Sequence, residues 1–207
     1  MIDHGIMAGV LTVLVVLFFS VHVYMDMRMF RSRRYSHSHD SEFPVPGWAK
    51  ILAFPPSLGF WAVFLASPLF FYKGWYYNLC APILFRNPQE GMIQVTGLLV
   101  MLGGVLLADW GRVSRGVIAP SGPMPETYTL ATHGAYGVMR HPLYMSYCLF
   151  FVGLPLAFLN VVLLALVVGI PGYYGIARAE ERILIQKFGE QYRTYQKEVG
   201  MFLPKIM

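Results

Sequence analysis

Residues 142–177 run for 36 positions without an Asp, Glu, Lys or Arg, and no other feature limits the fold so strongly. As a single α-helix this stretch would measure about 54 Å at 1.5 Å per residue. The hydrocarbon core of a bilayer is only ~30 Å thick. Gly153, Pro155 and Asn160 punctuate the middle of the stretch, so it reads as two antiparallel helices joined by a tight turn near residues 156–161.

Three more uncharged stretches, 5–25, 51–72 and 91–108, precede it. Each is long enough to cross a bilayer, the third only if nearly upright. Composition agrees: 56% of the residues are hydrophobic and 13% charged, against ~25% charged in an average soluble domain. A soluble globule is excluded on these grounds. The formal net charge of +5 does not point to nucleic acid, because the basic residues flank apolar spans, where they set orientation and meet anionic headgroups.

Five spans divide the Lys and Arg residues unevenly. The loop 27–50 holds five, the loop 109–141 three and the segment from Arg178 onward six, whereas only Lys73 and Arg86 fall between the second and third spans. The positive-inside rule therefore places the N-terminus outside and the C-terminus in the cytoplasm. The first apolar run lacks a basic leader and a small-residue cleavage pattern and reads as a retained span. Residues 74–85 are apolar, aromatic and too short to cross, as expected of an interfacial loop. After the fifth span, Leu184, Phe188, Tyr192, Tyr195, Val199 and Phe202 recur at the spacing of one helical face, which predicts an amphipathic cytoplasmic tail of one helix or of two meeting at Gly189. The expected fold is thus all-α and polytopic, with five transmembrane helices, the last two a tight hairpin, and a helical tail. Residues 1–110 supply three N-terminal spans and 111–207 form a functional core.

Charge at a membrane boundary is costly unless paired or put to use, which singles out Arg140, Glu180 and Glu181. Arg140 and His141 precede Pro142 where a loop enters the fourth helix, and Pro142 suits a first helical turn. The first-turn N–H groups and Arg140 together offer an anion site. The hairpin brings Glu180 and Glu181 to the same end. A cation facing carboxylates suits a zwitterion with extra positive charge, and S-adenosylmethionine combines carboxylate, ammonium and sulfonium. Tyr136 and Tyr144 offer aromatic faces to an adenine or a sulfonium. From charge placement alone, a structural ion pair closing the hairpin explains these residues equally well. Cys80 and Cys148 lie in separate apolar segments without metal-site spacing and read as packing residues. His37 and His39 in a polar loop read as solvated side chains, and no metal site is expected.

Residues 129–144 read T-L-A-T-H-G-A-Y-G-V-M-R-H-P-L-Y. This resembles the L-V-x-x-G-x-Y-x-x-x-R-H-P-x-Y signature of the isoprenylcysteine carboxyl methyltransferase family and its phospholipid methyltransferase relatives. The pair Glu180-Glu181, then Phe188-Gly189 with Tyr192 and Tyr195, then Leu203-Pro204, is similar to that family's ending. The resemblance implies S-adenosyl-L-methionine as cofactor, lined by Leu130, Tyr136, His141, Pro142, Leu143, Tyr144 and Glu180. It also implies Arg140 near the transferring methyl and the acceptor, while the apolar hairpin suggests a lipophilic or prenylated acceptor from the bilayer and Glu181 or Glu180 is the candidate base for an amine. The acceptor is a carboxylate or a lipid amine. Two positions depart from the family pattern. Tyr128 stands where a His is usual, and Ile176 stands one turn before Glu180 where a substrate-binding Arg is usual, with Arg178 on another face. A nicotinamide-dependent membrane reductase of the sterol-reductase type and a non-enzymatic membrane scaffold remain as alternatives.

Overall fold

The computed structural model describes residues 1–31, 45–116 and 129–205. Tyr128, Arg33, Arg34, His37 and His39 lie outside the described residues. Among those described, the structure is helical and has no strands. Four helical stretches are long and apolar enough to cross a membrane. They are α1 (His4–Arg31), α2 (Gly47–Tyr72), α4 (Glu90–Arg115) and the continuous stretch Val162–Phe188, a 3₁₀ segment (Val162–Val168) running into α7 (Gly169–Phe188). The fifth apolar helix, α6 (Pro142–Phe158), has 17 residues, about 25 Å at the helical rise. Short helices α3 (Trp75–Leu79), α5 (Ala135–Val138) and α8 (Glu190–Glu198) complete the element order.

The sequence places Pro55 and Pro56 at the start of a span, but α2 begins at Gly47 and holds both in its interior. Membrane helices accommodate such prolines because neighbouring groups re-satisfy the freed backbone. The short turn also differs from the expected hairpin in one respect. Leu159 ends α6 in the left-handed conformation (φ 51°), and Asn160 Oδ1 accepts the N–H of Val162 at 3.0 Å. Beyond this turn, however, α6 packs chiefly on α4 and α7 chiefly on α2, so the two limbs share less contact with each other than with earlier helices.

Glycines explain the choice of partners. Along the α4–α6 seam, Gly111 faces Leu143, Gly104 faces Phe150 and Gly97 faces Ala157, three glycines spaced by seven residues against three partners spaced by seven. A Cβ on Gly97 would lie 2.2 Å from the backbone nitrogen of Ala157. Helices in lipid associate by close packing of small residues, since lipid tails offer no hydrophobic drive between them. The α2–α7 contact is built alike: a Cβ on Gly172 would lie 2.5 Å from the nitrogen of Ala53. Helix α1 packs on both α2 and α4, and the shared core is aromatic, with Phe60 stacked on Phe150 at 4.6 Å.

The two ends of the bundle are tied differently. At the end holding the 159–161 turn, the buried Gln94 accepts the N–H of Ile2 at 2.7 Å and donates to Tyr77 Oη at 2.9 Å and to the Ala157 carbonyl at 3.2 Å. Residues 74–85 fold over the same end, and the buried Tyr76 donates to the Phe158 carbonyl. Gln94→Ala is expected to destabilise the bundle by about 1–2 kcal/mol, given the modest worth of each hydrogen bond in a membrane. A thermal melt of the detergent-solubilised protein checks this, and an unchanged midpoint would refute it. At the other end, Arg112 Nη2 pairs with Asp26 at 2.6 Å and donates through Nη1 to the Gly116 carbonyl, while His22 faces Asp109 at 3.2 Å. These pairs fix the last turn of α4 against α1.

Candidate active site

The loop before α6 is held by the far end of the chain. Met139 and Gly200 form a parallel bridge, Arg140 N–H donates to the Gly200 carbonyl at 2.8 Å, and His141 N–H donates to the Met201 carbonyl at 3.0 Å. Residues 139–141 are thus extended, and Pro142 follows at the first helical position, where its missing N–H is not needed. Ser114 Oγ, near the end of α4, accepts the N–H of Ala135 at 3.1 Å and docks α5 beside this loop.

Glu181 lies behind the loop and is 3% exposed. Its Oε1 accepts from Arg140 Nε at 2.7 Å and lies 3.3 Å from His141 Nε2, and its Oε2 accepts from Gln196 Nε2 at 2.9 Å. Arg140 donates further through Nη1 to the Gln196 carbonyl at 3.3 Å and to the Val199 carbonyl. A buried ion pair survives desolvation only when its remaining hydrogen-bonding positions are filled, and residues 196–199 fill them here. Glu180, one residue earlier and about 100° round the helix, faces the other way. Its Oε2 lies 3.6 Å from His141 Nδ1, so the imidazole stands between the two carboxylates. Tyr144 stacks on His141 with centroids 5.4 Å apart, and its hydroxyl faces Glu180.

The α7–α8 junction closes the floor. Gly189 (φ 54°) separates the two helices, a conformation in which a glycine carries no steric penalty. The break folds α8 back so that Leu184, Tyr192 and Tyr195 are buried together against Leu130, Ile185, Phe188 and Val199. Tyr195 Oη donates to the Tyr136 carbonyl at 2.5 Å. Burial, with the Glu181 charge nearby, pushes the Tyr192 phenol well above its ordinary range, so it stays neutral.

These elements line an open cleft. Leu130, Tyr136, Arg140, His141, Leu143, Tyr144 and Glu180, all singled out in the sequence, line it. Pro142 and Glu181 do not: Pro142 packs against Gly111, and Glu181 sits behind Arg140. Ile176 is part of the membrane core and Arg178 is exposed. Sequence reasoning missed Arg115 and Gln196. Arg115 reaches the cleft from the end of α4, and a charged residue closing an uncharged span beside the motif was its only signal. Gln196 lies on α8 between the expected tail positions.

The cleft sets arginine and carboxylate side chains and tyrosine rings around one space, a donor set that fits a zwitterion bearing an aromatic base such as S-adenosylmethionine.

Comparison with known proteins gives the same class. Residues 92–191 match the phospholipid methyltransferase family. The chain is 39% identical over 71 residues to a methanethiol S-methyltransferase of Pseudomonas deceptionensis, covering 34% of this chain and 27% of that one. It is 29% identical over 123 residues to the human protein-S-isoprenylcysteine O-methyltransferase, covering 57% of this chain and 43% of that one. It is 32% identical over 133 residues to the cobalt-zinc-cadmium resistance protein CzcN of Cupriavidus metallidurans, covering 61% and 58%. The matches span about a quarter to somewhat over half of the length of these relatives. With its apolar helices this is a multi-pass integral membrane protein, and its residues 92–191 are similar to the phospholipid methyltransferase family.

Proposed function

We propose that the protein transfers a methyl group from S-adenosylmethionine to a lipophilic acceptor, a carboxylate or a lipid amine, at the cytoplasmic face of a membrane. The observation that carries this reading is the cleft itself, which Leu130, Tyr136, Arg140, His141, Leu143, Tyr144 and Glu180 line together. In this reading α6 is a fifth span, the N-terminus is outside, and the cleft opens at the positively charged end of the bundle. Residues 1–110 form the membrane support and 111–207 the core of the site.

Bound S-adenosylmethionine supplies an electrophilic methyl carbon on a sulfonium. The chain has to align an acceptor with that carbon, an orientation effect that needs no covalent enzyme intermediate. Glu180 presents its carboxylate to the cofactor's positive groups, and Tyr136 and Tyr144 present ring faces worth about 0.5–2 kcal/mol to a cation. Leu130 and Leu143 give the adenosine an apolar wall, with His141 setting the edge and Pro142 fixing the start of α6 behind it. Arg140 directs its guanidinium to the acceptor end, and Glu181 acts through Arg140 and His141 by fixing both. A carboxylate acceptor arrives ionised. An amine must lose a proton, and a carboxylate of the Glu180–Glu181 pair takes it, directly or through water.

The test is calorimetric binding of S-adenosylhomocysteine to the detergent-purified protein, beside Glu180→Gln. Micromolar binding that falls about tenfold or more in the variant is expected from loss of a charge-assisted contact. A folded parent protein that binds no S-adenosylhomocysteine refutes the reading.

A further inference from the structure

Arg140 is the arginine that the sequence motif offers for an anion, yet its charge is matched by Glu181 at 2.7 Å and two of its nitrogens are committed to Glu181, Gln196 and Val199. A second arginine, Arg115, stands on the same cleft wall and comes from a different helix. The turn of α4 that carries it is pinned on both sides. Arg112, three residues earlier, pairs with Asp26 of α1 at 2.6 Å, and Ser114 accepts the N–H of Ala135 of α5 at 3.1 Å. Arg115 is therefore presented from rigid backbone. Arg115, Tyr144 and Glu180 all line the cleft, so a positive and a negative group share it with one tyrosine.

That pair of opposite charges suits the amino-acid end of the proposed cofactor, where carboxylate and ammonium share one carbon. We infer that Arg115 binds the cofactor's α-carboxylate while Glu180 holds its ammonium, leaving Arg140 to the acceptor side. The inference rests on the cofactor reading above. It brings the end of α4 into the binding site, outside the segment that carries the sequence motif. Arginine suits this task because its planar fork pairs with a carboxylate through two parallel hydrogen bonds.

The experiment crosses the residue with the ligand group it is assigned to. Binding of S-adenosylhomocysteine and of its decarboxylated analogue is measured on the parent protein and on Arg115→Gln. The parent is expected to prefer the carboxylated ligand by about ten- to hundredfold, the worth of a hydrogen-bonded charge pair. Arg115→Gln should erase most of that preference while still binding the decarboxylated analogue, which also shows that the cleft is folded. Arg115→Lys should restore part of it. A parent protein that binds both ligands equally overturns the inference without any variant, and a preference that persists in Arg115→Gln overturns it as well. A parent protein that binds neither ligand defeats the cofactor reading, and this inference falls with it.

Discussion

Glu181→Ala is expected to leave the chain inserted in the membrane, lower its stability by about 3–5 kcal/mol and abolish methyl transfer. The stability loss follows from what the alanine would leave behind. Arg140 would keep its charge in a site where its side chain is only 10% exposed, and removing one partner of a buried pair costs that much because the other stays uncompensated. Gln196 and His141 would lose an acceptor at the same time. Unfolding in detergent, followed for Glu181→Ala, Arg140→Met and the double variant, separates the pair from its surroundings. The double variant should recover part of the stability and none of the activity. Glu181→Ala as stable as the parent would remove Glu181 from the role of anchor.

Gly97→Leu should have an effect at least as large, with no charge involved. The first added atom would fall 2.2 Å from the Ala157 nitrogen and 2.7 Å from its Cα. Both belong to a helix backbone, which yields only by moving α6 away from α4 along its length. A loss of about 3 kcal/mol or more is expected, at the upper end of overpacking penalties. Gly103→Leu on the same helix is the control, because nothing lies within 4 Å of its Cβ position. It should change stability by less than about 1 kcal/mol, the scale of helix propensity. Size-exclusion profiles and melting midpoints after detergent extraction distinguish the two. A well-behaved Gly97→Leu protein would show that the α4–α6 seam is looser than drawn.

The all-helical, membrane-embedded class was readable in the sequence because a charge inside a bilayer is costly, so its absence over long runs leaves little choice. Helix partnership was less legible. The 142–177 stretch suggests two limbs packed on each other, and covalent proximity made that the natural inference. The partners are set instead by Gly97, Gly104 and Gly111, whose spacing by seven residues was present in the sequence but acquires meaning only against Ala157, Phe150 and Leu143. Within the site, Glu180 and Glu181 are chemically identical neighbours. About 100° of helical rotation decides which faces the cleft and which the buried arginine, and that rotation is fixed by α2 and α8 rather than by local sequence. Arg115 could not be tied to the site because residues far apart in the chain meet there only through tertiary packing.

The pairing of Arg140 and His141 with Gly200 and Met201 also orders events in time. Residues 196–201 follow α6 and α7 in the chain, and until they dock Arg140 lacks the Gln196 and Val199 carbonyls. A chain at that stage has its spans but no finished cleft. The cleft is therefore complete only once residues 196–201 have docked against the loop that opens α6.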